Sequence, residues 1–259
     1  MGLLAFLAGA ASASSDYGTV STRVIAWPGE IIRFRYTRTG HAAPGYGEVA
    51  GVYKMDILTG PSYPSPTGKG QELSDPFDAV CVDLLTVIHP YRRYDWTIVD
   101  LEDVPDTGFG PMGATRAGNI KELFARHSPD MLTTAAEKAA LSVLTWEIVL
   151  EDEWTGGDKP WGLDGGYLTI TKLSTTAQGY FDAWMGELTG VGATGEIYAL
   201  RNSTTQDFGI VLPGDGLYLP PVAPEPLTLL ALGLAVAGLA GYVRRRQGFG
   251  GQVRRRNTA

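Results

Sequence analysis

Cysteine occurs once in the 259 residues, at position 81. An intrachain disulfide is therefore excluded, and the chain must be held by packing and hydrogen bonds. Histidine is nearly as scarce: His41, His89 and His127 stand singly, without the spacing at which imidazoles share a metal. There is no Gly-x-Ser-x-Gly elbow, no phosphate-cradling Walker loop and no His-Glu-x-x-His. The expectation is that the protein is not an enzyme, with no catalytic residue, metal site or cofactor assigned. Internal repeats and long low-complexity tracts are missing too, which sets aside solenoids and propellers. Positive charge is short. Six of the 21 basic residues lie at 244–246 and 254–256, leaving 15 against 28 acids ahead of them, a net of −13. A surface so acidic repels nucleic acid, so no nucleic-acid partner is expected.

Turn residues are plentiful, with 34 Gly and 16 Pro punctuating short apolar stretches. Segments 24–27, 30–36, 49–57, 80–88, 96–99, 166–171, 196–200 and 208–212 are rich in β-branched and aromatic residues and read as strands. Three segments read as helices. The first is 119–126. The second, 135–150, repeats Leu141, Leu144, Thr145 and Ile148 on one face and opens with the capping box Thr134-Ala135-Ala136-Glu137. The third, 175–187, sets Phe181, Trp184 and Met185 on its buried side, and a loop over 186–195 follows. The expected class is α+β: a β-rich sandwich or barrel-like domain over 14–217 with a helical insertion at about 119–187, plus a C-terminal transmembrane helix.

Two acidic clusters, Asp100-Leu101-Glu102-Asp103 with Asp106 and Glu151-Asp152-Glu153 near Asp158 and Asp164, lack the spacing of a calcium loop and read as solvated loop charge. Trp154, Trp161 and Tyr167 fit two roles, a sugar-stacking surface or core covering the end of the second helix.

Both ends speak of export. Residues 3–11 are apolar and Ala11-Ser12-Ala13 suits signal-peptide cleavage, giving a leader over 1–13. No Lys or Arg precedes Arg23, so either the true start lies upstream of Met1 or the leader is weak. At the other end, 218–246 holds Pro224-Glu225-Pro226, an apolar run 227–243, and Arg244-Arg245-Arg246, followed by a basic tail 247–259. Seventeen residues at about 1.5 Å each span roughly 25 Å, enough to cross a bilayer core, and the arginines hold their end inside.

This tail resembles the PEP-CTERM sorting signal of Gram-negative bacteria. The resemblance implies transport across the inner membrane, transient anchoring by the 227–243 helix, and processing by an exosortase, a membrane-embedded cysteine protease. The product would be released to the cell surface or the extracellular matrix, with extracellular polysaccharide or matrix as a partner and a structural or adhesive role in a biofilm.

Within the body, Cys81-Val82-Asp83 and the later Leu141-Ser142-Val143-Leu144-Thr145-Trp146-Glu147 together resemble the thioester-domain proteins. Ile197-Tyr198-Ala199-Leu200-Arg201 with Gln206-Asp207 extends the likeness. The resemblance carries over Cys81, Trp146 and Glu147. It implies a thioester between Cys81 and a helix glutamine, but Ser142 stands where the glutamine belongs. Serine has no acyl group to give, so the expectation is a kept fold and a lost cross-link. Two alternatives remain, a covalent adhesin reacting through Cys81 and an extracellular hydrolase using paired carboxylates.

Overall fold

One strand shows directly how a short stretch that buries every second side chain becomes β-structure. In β2 (Gly29–Tyr36), Ile32, Phe34 and Tyr36 are buried while Ile31, Arg33 and Arg35 face solvent. The computed structural model describes residues 16–37, 47–84, 86–105, 110–154, 158–213 and 217. All of them belong to one unit that runs to Pro220. The expected leader 1–13, the Pro224-Glu225-Pro226 motif, the 227–243 span and the arginine tail lie outside the described residues. Among the described residues no helix is long and apolar enough to cross a membrane.

The remaining strands are β1 (Gly18–Ala26), β3 (Gly47–Ile57), β4 (Phe77–Cys81), β5 (Tyr94–Asp100), β6 (Leu168–Lys172), β7 (Tyr198–Arg201) and β8 (Phe208–Ile210). They form one antiparallel sheet in the order β1-β5-β7-β8-β4-β3-β2-β6, and β1 also pairs with β3. That extra pairing closes six strands into a ring, so the expected choice between sandwich and barrel falls to a barrel. Ring closure leaves no free edge among its staves.

β3 is shared. Its first half pairs with β2 from Gly29↔Gly51 to Arg33↔Gly47, and its second half pairs with β4 and β1. The facing glycines let the chains touch: a Cβ on Gly51 would lie 2.4 Å from the Pro28 carbonyl oxygen, and one on Gly29 2.0 Å from that of Ala50. The interior of the ring is aromatic. The Trp96 indole N–H donates to Thr22 Oγ1 at 2.8 Å, and Phe208 stands edge-on to Trp96 and Tyr53.

The α-helices are α1 (Gly113–Arg126), α2 (Ala135–Leu150) and α3 (Thr175–Glu187), with α2 packed against β2, β3 and β4. The capping box at Thr134 is formed in both directions, as the sequence indicates. The amphipathic stripe expected for α2 is not. All of 139–150 is buried, because β2, β3 and β4 lie against one side and α1 and α3 against others. On α3, Phe181 and Trp184 are buried, while Met185 is only partly so. The helical segment starts six residues earlier than expected and is interrupted by β6, which pairs with β2 through Phe34↔Ile170.

The expected strand 80–88 stops at Cys81; Val82, Leu84 and Ile88 enter the core from a loop. Most of β1 lay ahead of the expected 24–27. The outer edge of β6 is covered without a further strand. Leu168 N–H donates to Glu151 Oε1 at 2.5 Å and Ile170 N–H to the Leu163 carbonyl at 2.8 Å. Gly166, at φ 78°, makes room: a Cβ there would meet Glu151 Oε2 at 2.3 Å.

Candidate functional site

The strands β3 and β4 separate after the pair Val52↔Val80. The next residues, Gly51 and Cys81, would each be left with an unpaired carbonyl in the core, a cost of about 1–3 kcal/mol apiece. α2 supplies the missing donors from consecutive turns. Ser142 Oγ donates to the Gly51 carbonyl at 2.7 Å, and Trp146 Nε1 donates to the Cys81 carbonyl at 3.0 Å. Residues four apart share one helix face, which is why these two reach neighbouring strands. Of the four residues joined in the sequence by resemblance alone, Cys81, Ser142 and Trp146 therefore converge where the barrel seam opens, while Glu147 bonds elsewhere, to Gly162.

Cys81 is fully buried and stands opposite Phe208. Its thiol donates to the Asp83 carbonyl at 3.1 Å. Burial, and after it the charge of Asp83, pushes the thiol well above its ordinary range. A nucleophilic cysteine needs the reverse environment, one that is open and electropositive.

Glu147 has no exposed surface. Oε2 accepts from Gly162 N–H at 3.2 Å, and Oε1 has no partner among the described residues. Burial, with the like charge of Glu151 one turn on, pushes its carboxyl up to about 9, so it is protonated at neutral pH.

The sequence reading passes over Glu122 and sets Glu151 among solvated loop charge, whereas both are buried. Glu122, buried on α1, accepts from Arg126 Nη2 at 2.8 Å, Thr189 N–H at 2.9 Å, Thr189 Oγ1 at 2.8 Å and Gly190 N–H at 2.9 Å. Burial acts to raise its carboxyl, but the donors on Thr189, Arg126 and Gly190 outweigh it and hold the carboxyl low. This ties the loop after α3 to α1. Glu151 is the second, committed to the β6 edge. Glu122 has one local partner, Arg126 four residues on, but its other donors lie 67 and 68 residues away and the donor to Glu151 lies 17 away.

Trp161 is buried and packs edge-on to Trp154 at 5.6 Å, with Tyr167 also against the core, so of the two roles open to these rings the structure fits the covering one. Among the described residues no three His, Cys, Asp or Glu side chains gather as a cation site. Of the glutamines, Gln178 is exposed on α3 and spends its amide on the Leu173 carbonyl. Gln206 is buried two residues before Phe208, the cross-strand partner of Cys81, and its Oε1 has no partner among the described residues. No known protein family, curated protein or solved structure matches this chain.

Proposed function

We propose that the chain is an exported protein of a Gram-negative bacterium, cut by an exosortase at Pro224-Glu225-Pro226 and delivered to the cell surface or extracellular matrix. There its barrel acts as a structural or adhesive module without catalysis. The observation that carries this reading is the order of parts in the tail: Pro-Glu-Pro, seventeen apolar or small residues, then Arg244-Arg245-Arg246. Support for an inert body comes from the seam, where Ser142 makes a backbone clamp and the Cys81 thiol is sealed. A glycosidase needs two carboxyl groups open to one bond. Glu122, Glu147 and Glu151 are all buried, which puts the hydrolase reading behind.

One observation favours a second reading. Gln206, whose side-chain carbonyl has no partner among the described residues, stands two residues before the cross-strand partner of Cys81. Attack of the thiol sulfur on that carboxamide carbon, with ammonia leaving, would give the thioester of a covalent adhesin.

The deciding experiment co-expresses the full chain with an exosortase and measures its intact mass before and after methylamine. The proposal expects a product ending near Pro226, with one free thiol and no response to amine. An uncut chain refutes sorting. A mass short by one ammonia, with methylamine adding across the thioester, establishes the second reading.

A further inference from the structure

The loop that carries the chain from Ile88 into β5 differs from the rest of the surface. His89 to Arg92 form a turn closed by Arg92 N–H on the His89 carbonyl at 3.5 Å, with Pro90 at its second position. Tyr91 takes the third position at φ 62° and donates its N–H to the Val24 carbonyl at 3.0 Å. A positive φ after such a proline is the place of glycine. Among the described residues Tyr91 is the only residue other than glycine with a positive φ.

Burial does not compensate, for Tyr91 is 70% exposed. A bulky side chain held in this conformation and turned to solvent is a place to look for binding. Its ring lies 6.2 Å from that of Trp27, which is half-buried on the turn between β1 and β2. Beside it, Arg93 is fixed on Asp95 at 2.8 and 2.9 Å and lies over the Tyr63 ring at 5.3 Å. Arg92 is exposed, and its guanidinium has no partner among the described residues. Residues 86–94 hold His89, Arg92 and Arg93 and no acid, on a body of net charge −13.

We propose that Trp27, Tyr91 and Arg92 form a binding platform for an anionic polysaccharide of the uronate type. The occupant rests on the export reading, since such a polymer is met outside the cell. Inclined at 66° to one another, the two rings make an angled apolar step against which the C–H groups of a sugar can pack, with the Tyr91 hydroxyl left for water or a sugar hydroxyl. Arg92 offers a planar fork matched to a carboxylate. Charge selects among the polymers. Duplex nucleic acid carries one charge per about 1.7 Å and needs many cations to displace its counterions. Arg92 is one, with Arg93 neutralised by Asp95 and the surrounding body repelling a dense polyanion. A chain with one carboxylate per sugar is sparse enough to be met by a single guanidinium, and a neutral glucan leaves that guanidinium unused.

The test is affinity electrophoresis of the full-length chain, in detergent, through gels containing polygalacturonate, neutral dextran or a duplex oligonucleotide. Retardation is expected on polygalacturonate alone, and it should weaken as salt rises. Tyr91→Gly and Arg92→Ala should each weaken it about tenfold. Tyr91→Gly should at the same time raise the Tm, because glycine suits the turn, so weaker binding is not a failure to fold. Absent retardation, undiminished retardation of both variants, or stronger retardation by dextran or oligonucleotide would overturn the proposal. No exosortase is involved. A chain that binds but is not processed overturns the sorting reading alone, and one that is processed but does not bind overturns the platform alone.

Discussion

Replacing Glu147 by glutamine keeps the shape of the buried side chain and removes its ionisation. In the folded protein the carboxyl holds its proton up to about 9, whereas in the unfolded chain it ionises near its ordinary value of 4.5. Between those limits the unfolded state releases a proton that the native state keeps. The stabilisation from the neutral form is complete below 4.5 and is lost as pH rises towards 9, by about 1.4 kcal/mol per pH unit. Glutamine does not titrate. The difference in stability between Glu147→Gln and wild type should therefore change by about 3 kcal/mol in favour of the variant between pH 4.5 and pH 7, and by about 5 kcal/mol by pH 8.5. Urea unfolding of both proteins at these three pH values, followed by tryptophan fluorescence, gives the difference directly, and contributions from every other titrating group cancel in the subtraction. Parallel stability curves for the two proteins from pH 4.5 to 8.5 would refute the reasoning, for they would mean that the carboxyl is ionised within the folded core.

The Cys81 thiol should ignore a water-soluble disulfide reagent in the native protein and react with one equivalent as the chain unfolds in urea; fast native labelling would contradict its burial. Ser142→Ala deprives the Gly51 carbonyl of its donor and should cost about 1–3 kcal/mol in chemical denaturation, and no measurable loss would mean that the clamp adds nothing. Glu151→Ala leaves the buried Leu168 N–H unpaired at the outer edge of β6, so a loss of about 2 kcal/mol is expected together with higher oligomers on size exclusion. A monomer of unchanged stability would show that this edge needs no cover.

The helix 135–150 was legible to the residue because Thr134 and Glu137 form a local device whose partners are three positions apart. β1 was hidden by its own chemistry. Ser21 and Thr22 look like turn residues, yet both are buried, Ser21 against Asp95 and Thr22 between Trp96 and Met55. The start of α1 carries no signal, since Met112 makes no side-chain cap and Gly113 sits at φ 77°. Segment 80–88 was overextended because a loop that fills a core reads like a strand. At the seam, Cys81 and Trp146 came from resemblance. What Ser142 and Trp146 do there depends on two strands parting at a particular residue, a tertiary event with no local trace. Glu147 sits in an apolar helix, which is a signal by itself, but its raised ionisation comes from the packing of β2, β3, β4 and the other helices around that helix. Tyr91 was passed over because proline followed by tyrosine gives no warning of a glycine-type backbone.

The barrel is assembled out of chain order. β7 and β8, residues 198–210, slot between β5 and β4, which were made about a hundred residues or more earlier. Until they arrive, β4 and β5 border an open gap, each with one row of unpaired backbone groups. A chain emerging N-terminus first therefore cannot lock its barrel while only its first two-thirds is present, and the most non-local pairing of the ring, β4 with β8, comes last. On the export route proposed above, which needs a chain that stays threadable until it has crossed a membrane, the late keystone would work as a timer: the fold would set only when almost all of the domain is on the same side.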